Sequence, residues 1–485
     1  MVSFTGLCEI FPDMTRLTFI LALLVSLSAV HAQQVSVIET DADLHTPMQA
    51  KPALKFSPGP SSSSTTLTVS AAKKYQTIDG FGASLTDSSA WLLYTKLTPE
   101  QRKQTMTDLF DPKQGIGLNF VRQPMGASDL ALTKYSYDDL PRGQTDPSLA
   151  HFSIAHDEPY ILPTLREAIA INPELKIMAT PWSPPGWMKT TDSLIGGELR
   201  KDSYAPLAQY FVKFIQAYEK AGVPIYALTM QNEALFQPRN YSGMLFPAED
   251  QRNFLRDNLG PALAAATLHP KIMVYDHNWD HPEYPETILR DPVAAKYAAG
   301  IAWHCYGGDV STQSRVHDEF PDKDAWETEC SGGTWQKEKP LHAEAWLIIQ
   351  STRHWAKAVE LWNMALDQKN GPFVGGCDTC RGVVTVDTSK SPAVVTKNGD
   401  YYALGHASKF VRPGAHHIDT NDLENQKLLN VAFQNPDGGI ALLVLNFADA
   451  AQTFSVVGSG SSFMYTLPAG SLATFTWQPS TATPN

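Results

Sequence analysis

Glu233 and Glu329 each follow a short apolar run: Ile225-Tyr-Ala-Leu-Thr-Met-Gln-Asn-Glu233, and Ala325-Trp-Glu-Thr-Glu329 leading into the turn-like Cys330-Ser-Gly-Gly333. A carboxylic acid facing a carboxylate is the pair that cleaves glycosidic bonds. One protonates the leaving oxygen while the other attacks the anomeric carbon or activates a water. A lone glutamate at a strand terminus is ordinarily a solvated surface group. Two such glutamates, with aromatic neighbours and the motifs set out below, favour the paired reading. Glu233 is the expected acid/base and Glu329 the expected nucleophile. Glu327 competes with Glu329 but lies two residues deeper in the same run, away from the strand end where a barrel meets its substrate. Asn232, beside the acid, suits a hydrogen bond to the sugar 2-hydroxyl.

Positioning such a pair needs a scaffold that brings distant strand ends together. The two glutamates are 96 residues apart. Three strand–helix units between them fit a barrel of about 250 residues and eight units. From 86 to 412, apolar runs at 118–122, 175–180, 225–233, 272–276, 301–304, 325–329 and 359–366 alternate with helical patterns. One is 205–221, whose Leu207, Tyr210, Phe211, Phe214, Ile215 and Tyr218 share a stripe. Repeated strand–helix units predict a parallel sheet, here a closed (β/α)8 TIM barrel. The runs end in Arg, Trp, Asn-Glu, Asp-His, His-Cys-Tyr, Glu and Trp-Asn. Polar ends on apolar strands mark a functional rim.

Beyond 413 the chain turns to short strand-like runs split by Asp437-Gly-Gly and Gly458-Ser-Gly-Ser. This predicts an accessory all-β sandwich over 413–478. Alternation within 66–85 predicts that these residues join the same sandwich, with 479–485 a tail. Residues 33–65, carrying Pro58-Gly-Pro-Ser-Ser-Ser-Ser64, read as a flexible linker. Asp79-Gly-Phe-Gly82 lacks the third glycine of a dinucleotide loop and reads as a turn.

A net charge of −12 argues against a nucleic-acid partner. Residues 1–32 read as a signal peptide: Met14-Thr-Arg16 as a basic start, an apolar stretch over 17–28, and Ala29-Val-His-Ala32 for cleavage. Glu9 and Asp13 suit such a start poorly, so Met14 is a candidate initiator. The apolar run is short for a membrane span. The expectation is an exported protein, secreted or periplasmic, with no integral membrane segment after signal removal. Signal removal takes Cys8 with it. Cys377 and Cys380, in a Gly-rich loop without the second pair a zinc site needs, are then expected to form a local disulfide. Whether Cys305 and Cys330 also pair is left open.

Seven motifs in order, DGFGASLTD (79–87), FVRQPMGASD (120–129), ATPWSPPGWMKT (179–190), TMQNEA (229–234), HCYGG (304–308), TECSGG (328–333) and LWNMAL (361–366), carry a resemblance. From about 67 to 478 the chain resembles glycoside hydrolase family 30, the glucosylceramidase-like family. The resemblance implies a barrel with a side sandwich built from both chain ends, and retaining hydrolysis of β-linked glycosides. It implies Glu233 as acid/base and Glu329 as nucleophile, with Asp129, Trp182, Asn232 and Trp362 gripping the sugar. Arg122, His304 and Tyr306 would surround the pair. No cofactor and no metal is implied. The expected substrate is a β-linked glycoside or glycolipid, of β-glucosidase or glucosylceramidase type; β-1,6-glucan and β-xylosides are the alternatives. The loop 371–381 and Cys330 depart from the animal glucosylceramidases and put the leaving group in question. Two rival readings are a metal-dependent hydrolase using Asp276, His281 and His304, and a non-catalytic sugar binder using Trp182, Trp187 and Trp362.

Overall fold

The computed structural model describes residues 33–59, 63–458 and 460–479. The expected signal segment (1–32) and all but the first residue of the expected tail lie outside the described residues. Eight parallel strands close a barrel in chain order: Gly80–Ala83, Phe120–Pro124, Lys176–Thr180, Ala227–Thr229, Lys271–Asn278, Ala298–His304, Asp324–Cys330 and Ala356–Leu361. Helices such as Pro99–Phe110, Tyr204–Lys220 and Pro340–Arg353 return the chain outside the ring. Pro99–Phe110 begins at a Thr98–Gln101 capping box with proline in its first turn, which satisfies otherwise orphaned amides. Tyr204–Lys220 buries the stripe read from its helical spacing.

The barrel interior is layered. Phe120, Met178, Ala227, Met273, Ala302, Trp326 and Ala358 form one buried apolar cluster. Side chains alternate along a strand, so the residue two further on shares the same face. Those residues include Arg122, Thr180, Thr229, His304, Thr328 and Glu360, all buried and all polar. An apolar plug thus supports a polar floor beneath the mouth.

Two domain expectations are corrected. The barrel begins at Gly80, six residues before the expected boundary: Gly80–Ala83 pairs with the eighth and second strands instead of joining the sandwich. A Cβ on Gly82 would lie 1.7 Å from the carbonyl oxygen of Phe120. The glycine therefore serves close strand approach, although in the sequence it looks like a turn. Residues 33–65 are not a flexible linker either. Gln34–Thr40 pairs with Gln49–Lys55 on one side and Leu472–Trp477 on the other. Val35, Val37 and Phe56 enter the sandwich core beside Leu67, Leu442, Phe454, Phe463 and Phe475. The alternation that drives this, Val35 and Val37 in with Gln34 and Ser36 out, was outweighed in the sequence reading by the Pro/Ser run after it.

Thr66–Thr77 does join the sandwich, running antiparallel to His416–Thr420 and parallel to Gln452–Gly458. After the eighth barrel strand, Ala365–Asp367, Val384–Asp387 and Val394–Lys397 form a separate three-stranded sheet that frames the loop 368–383. Cys377 is bonded to Cys380, and Cys305 to Cys330. Among the described residues no helix is long and apolar enough to cross a membrane.

Candidate active site

Glu233 follows the fourth barrel strand and Glu329 lies in the seventh. The fourth strand is short, so Glu233 stands four residues beyond its end rather than closing it. Its backbone is left-handed, with φ +48°, an unfavourable state for a side chain that bears a Cβ. Neighbouring strands impose it: the Asn232 amide donates to the Pro181 carbonyl at 2.8 Å, and the Glu233 amide to the Asp276 carbonyl at 2.9 Å. Glu329 follows the inward-facing Trp326 and Thr328, so strict alternation would turn it outward. The register shifts between Glu327 and Cys330, and Glu329 reaches the mouth. Glu327 instead accepts hydrogen bonds from Trp279 and Gln313, away from the pocket.

The carboxylates converge. One oxygen of Glu233, one of Glu329 and a ring nitrogen of His304 all lie within 4.8 Å of one another. Arg122 is fully buried and donates to Glu329 at 2.5 Å, to Asn232 at 2.7 Å and to Asp276 at 2.9 Å. Tyr306 donates to the other oxygen of Glu329 at 2.9 Å. Asp276 also accepts from Thr229 and Thr328, each at 2.7 Å, and contacts His304 at 3.0 Å. Tyr275 and Asp276 both have positive φ, and Asp276 takes the place in the polar floor.

Burial here acts on groups that carry charge. It lowers His304, yet Glu329, Asp276 and Glu233 push this imidazole up to about 10, so the ring is an imidazolium. His277 is lowered by burial to about 4 and is neutral. Burial raises Glu233, but the adjacent His304 imidazolium and the charge of Arg122 leave it below its ordinary value. Glu329 stays above its ordinary value, because burial and the charge of Glu233 outweigh His304 and Arg122. The closest contacts point the other way. Glu329 receives the 2.5 Å guanidinium and the Tyr306 hydroxyl, whereas Glu233 has His304 Nδ1 at 3.5 Å and His277 Nε2 at 3.8 Å. A carboxylate held so closely by arginine is ionised. The proton retained by the cluster therefore sits on the Glu233–His304 side.

Around the pair is a cavity of about 190 Å³ lined by Asp129, Trp182, Asn232, Tyr306, Trp362 and the Cys377–Cys380 loop. This is smaller than a typical drug-sized site and suits one sugar ring. Trp182 and Trp362 stack with centroids 5.0 Å apart, and the Arg122 guanidinium lies 4.8 Å over Trp182. Asp129 accepts from the Cys377 amide at 3.2 Å, and burial together with the charge of Glu329 raises it to about 7. Gly376 permits this approach: with φ +70°, its Cβ would lie 2.5 Å from that of Asp129. A larger hollow of about 560 Å³ lies beside Leu162, Arg166 and Lys220 on the outer helices and carries no such carboxylate pair.

The nine residues assigned to the pair, the sugar and their surroundings thus meet at one mouth, whereas Glu327, Trp187 and His281 do not line it. The sequence reading missed Tyr241 and Trp335, which also line the cavity, and weighed Asp276 only as a metal ligand. Nothing local in the sequence marks the first two, since both sit in long loops. The polar end of the 272–276 run was the available signal for Asp276.

Comparison with known proteins follows the same division of the chain. The Glycosyl hydrolase family 30 TIM-barrel domain matches residues 78–411, and the family's beta sandwich domain matches 414–475. An endo-1,6-beta-D-glucanase of Neurospora crassa is 35% identical over 387 residues, covering 76% of this chain and 78% of the relative. The lysosomal acid glucosylceramidase of Mus musculus is 30% identical over 441 residues, covering 85% and 83%. Among solved structures, an endo-beta1,6-glucanase superposes with a TM-score of 0.85 at 33% identity, covering 92% of this chain and all of the other.

Proposed function

This chain belongs to glycosyl hydrolase family 30 and is a glycosidase, and from that premise we propose that it hydrolyses β-1,6-linked glucan by double displacement. The observation that carries the mechanism is the approach of the two carboxylates to within 4.8 Å at the barrel mouth. Retaining glycosidases hold their carboxyl groups about 5–5.5 Å apart, whereas inverting enzymes leave about 6.5–9.5 Å for a water. In the first step Glu233 gives a proton to the glycosidic oxygen as Glu329 attacks the anomeric carbon. The alcohol leaves, and the sugar is bonded to Glu329. In the second step water attacks that carbon, the Glu233 carboxylate takes its proton, and Glu329 departs as a carboxylate. Arg122 and Tyr306 stabilise the ionised Glu329 before attack, and His304 keeps a proton next to Glu233. Asn232 faces the sugar 2-hydroxyl, Asp129 accepts from other sugar hydroxyls, and Trp182 and Trp362 wall the ring.

The substrate choice is supported by relatives of 31–35% identity that are endo-1,6-beta-D-glucanases and by the endo-beta1,6-glucanase structure. Glucosylceramidases of 30–32% identity keep a glucosyl lipid as the second reading. In both, one glucosyl unit fills the same pocket and only the leaving group differs. Two disulfides fit an exported enzyme, since such bonds persist in oxidising compartments. Parallel assays with β-1,6-glucan and glucosylceramide test the choice. The expected result is a kcat/KM at least tenfold higher for the glucan. A preference for the lipid overturns it.

A further inference from the structure

Tyr306 lies two residues past the end of the sixth barrel strand and is 43% exposed, and it is followed by Gly307 and Gly308, the latter with φ +88°. A tyrosine on so permissive a turn is poorly held by its own backbone. Its hydroxyl nevertheless meets Glu329 at 2.9 Å. One residue before it, Cys305 is bonded to Cys330, the residue directly after Glu329. The two strands are parallel neighbours, and His304 is in register with Glu329. The covalent link therefore sits one residue beyond the pair that must face each other. The Cys330 carbonyl also accepts from the Trp362 amide at 2.8 Å, which ties the sugar-walling tryptophan to the same point.

We propose that the Cys305–Cys330 cystine is a positioning group for the nucleophile: it holds Tyr306 against Glu329, and turnover depends on its being oxidised. The link spans only 25 residues and joins strands already paired by backbone hydrogen bonds. Its particular contribution is the angle at which residue 306 leaves the sixth strand. Without the bond, the Tyr306 hydroxyl leaves Glu329, and the nucleophile loses a donor that favours its ionised form. The proposal rests on Glu329 being the nucleophile.

The test is a double-mutant cycle between Tyr306→Phe and the pair Cys305→Ala/Cys330→Ala, read as kcat, KM and the acid limb of kcat/KM. A hydrogen bond to a charged group is large enough for kcat to fall roughly 10- to 100-fold in each variant. KM is expected to change little, the acid limb should move to higher pH, and Tyr306→Phe should cost nothing further once the cystine is gone. Wild-type kcat and acid limb in the Cys305→Ala/Cys330→Ala enzyme overturn the proposal, as does an undiminished Tyr306→Phe effect in that background. If the double variant does not fold, the wild-type enzyme is treated with dithiothreitol. The reductant supplies two electrons and two protons, the S–S bond becomes two thiols, and the dithiol closes to its own cyclic disulfide. Peptide mass mapping identifies which bond opened, and circular dichroism follows the fold. Reversible loss of kcat in a folded species with Cys305 and Cys330 free is the expected result. Full activity of that species, or loss of fold together with loss of activity, overturns the proposal. Glu329→Gln assayed in parallel separates the two readings: if that variant still turns over, the nucleophile assignment fails, whatever the cysteines do.

Discussion

In the sandwich, Leu67, Leu442, Phe454, Phe463 and Phe475 pack into a cluster that is apolar throughout. At the top of the barrel, side chains just as deeply buried are Arg122, Asp276, His304, Glu329 and Asn232. Apolar burial stabilises a fold by about 25 cal/mol per Å². Buried charges cost several kcal/mol each unless paired and hydrogen-bonded. The second region is thus maintained at the expense of stability, and every member of it is pinned by another. Arg122 alone is held by three acceptors on three different strand ends. The contrast separates what holds the protein folded from what it is folded for.

Substitutions in the two regions should therefore fail in different ways. Glu329→Gln is expected to lower turnover by about 10⁴-fold or more, with the folded circular dichroism spectrum retained. Hydrolysis at an unchanged rate would remove the nucleophile assignment. Glu233→Gln should cost about 10²- to 10⁴-fold on an alkyl glycoside, and much less on a nitrophenyl glycoside whose leaving group needs no proton. Equal losses on both substrates would show that Glu233 is not the proton donor.

Arg122→Met tests where the regions overlap. It leaves Asp276 and Glu329 buried without the guanidinium that pairs them, and the midpoint of denaturant unfolding should report a loss of about 3–5 kcal/mol together with lost activity. Phe454→Ala should cost a similar 3–5 kcal/mol through the cavity it leaves, with kcat of the folded enzyme unchanged. A catalytic defect in that variant would mean the sandwich does more than support. The remaining effect concerns pH. His304 is raised in the folded state to about 10 by Glu329, Asp276 and Glu233. Its stabilising contribution is complete below its unfolded pKa, about 6.5, and is lost as pH rises towards 10. Melting temperature should fall between pH 6.5 and 10, and His304→Gln should flatten that slope. An equal slope in both proteins would contradict it.

The barrel was readable because seven of its eight strands are apolar runs ending in polar residues, and the site was readable because those endings converge. The first strand escaped since its glycines, needed where Phe120 crowds Gly82, resemble a turn. Gln34–Thr40 escaped because the nearby Pro/Ser run outweighed a short alternation. Glu233 was recognised by type and placed slightly wrong: the strand ends at Thr229, and only contacts from the third and fifth strands hold residue 233 in its left-handed turn. Tyr241 and Trp335 reach the cavity from loops whose path depends on long-range contacts. Strand periodicity carries across the sequence, whereas loop paths and the partner of each buried charge are set only in three dimensions.

The central claim is a covalent sugar–enzyme bond at one carboxylate. Incubation with a 2-deoxy-2-fluoro-β-glucoside bearing a good leaving group slows the second step more than it slows the first, so the adduct accumulates. Intact mass followed by peptide mapping should show one fluoroglucosyl group per chain, attached at Glu329. A label on any other residue, or none while hydrolysis proceeds with inverted anomeric configuration, would contradict the account.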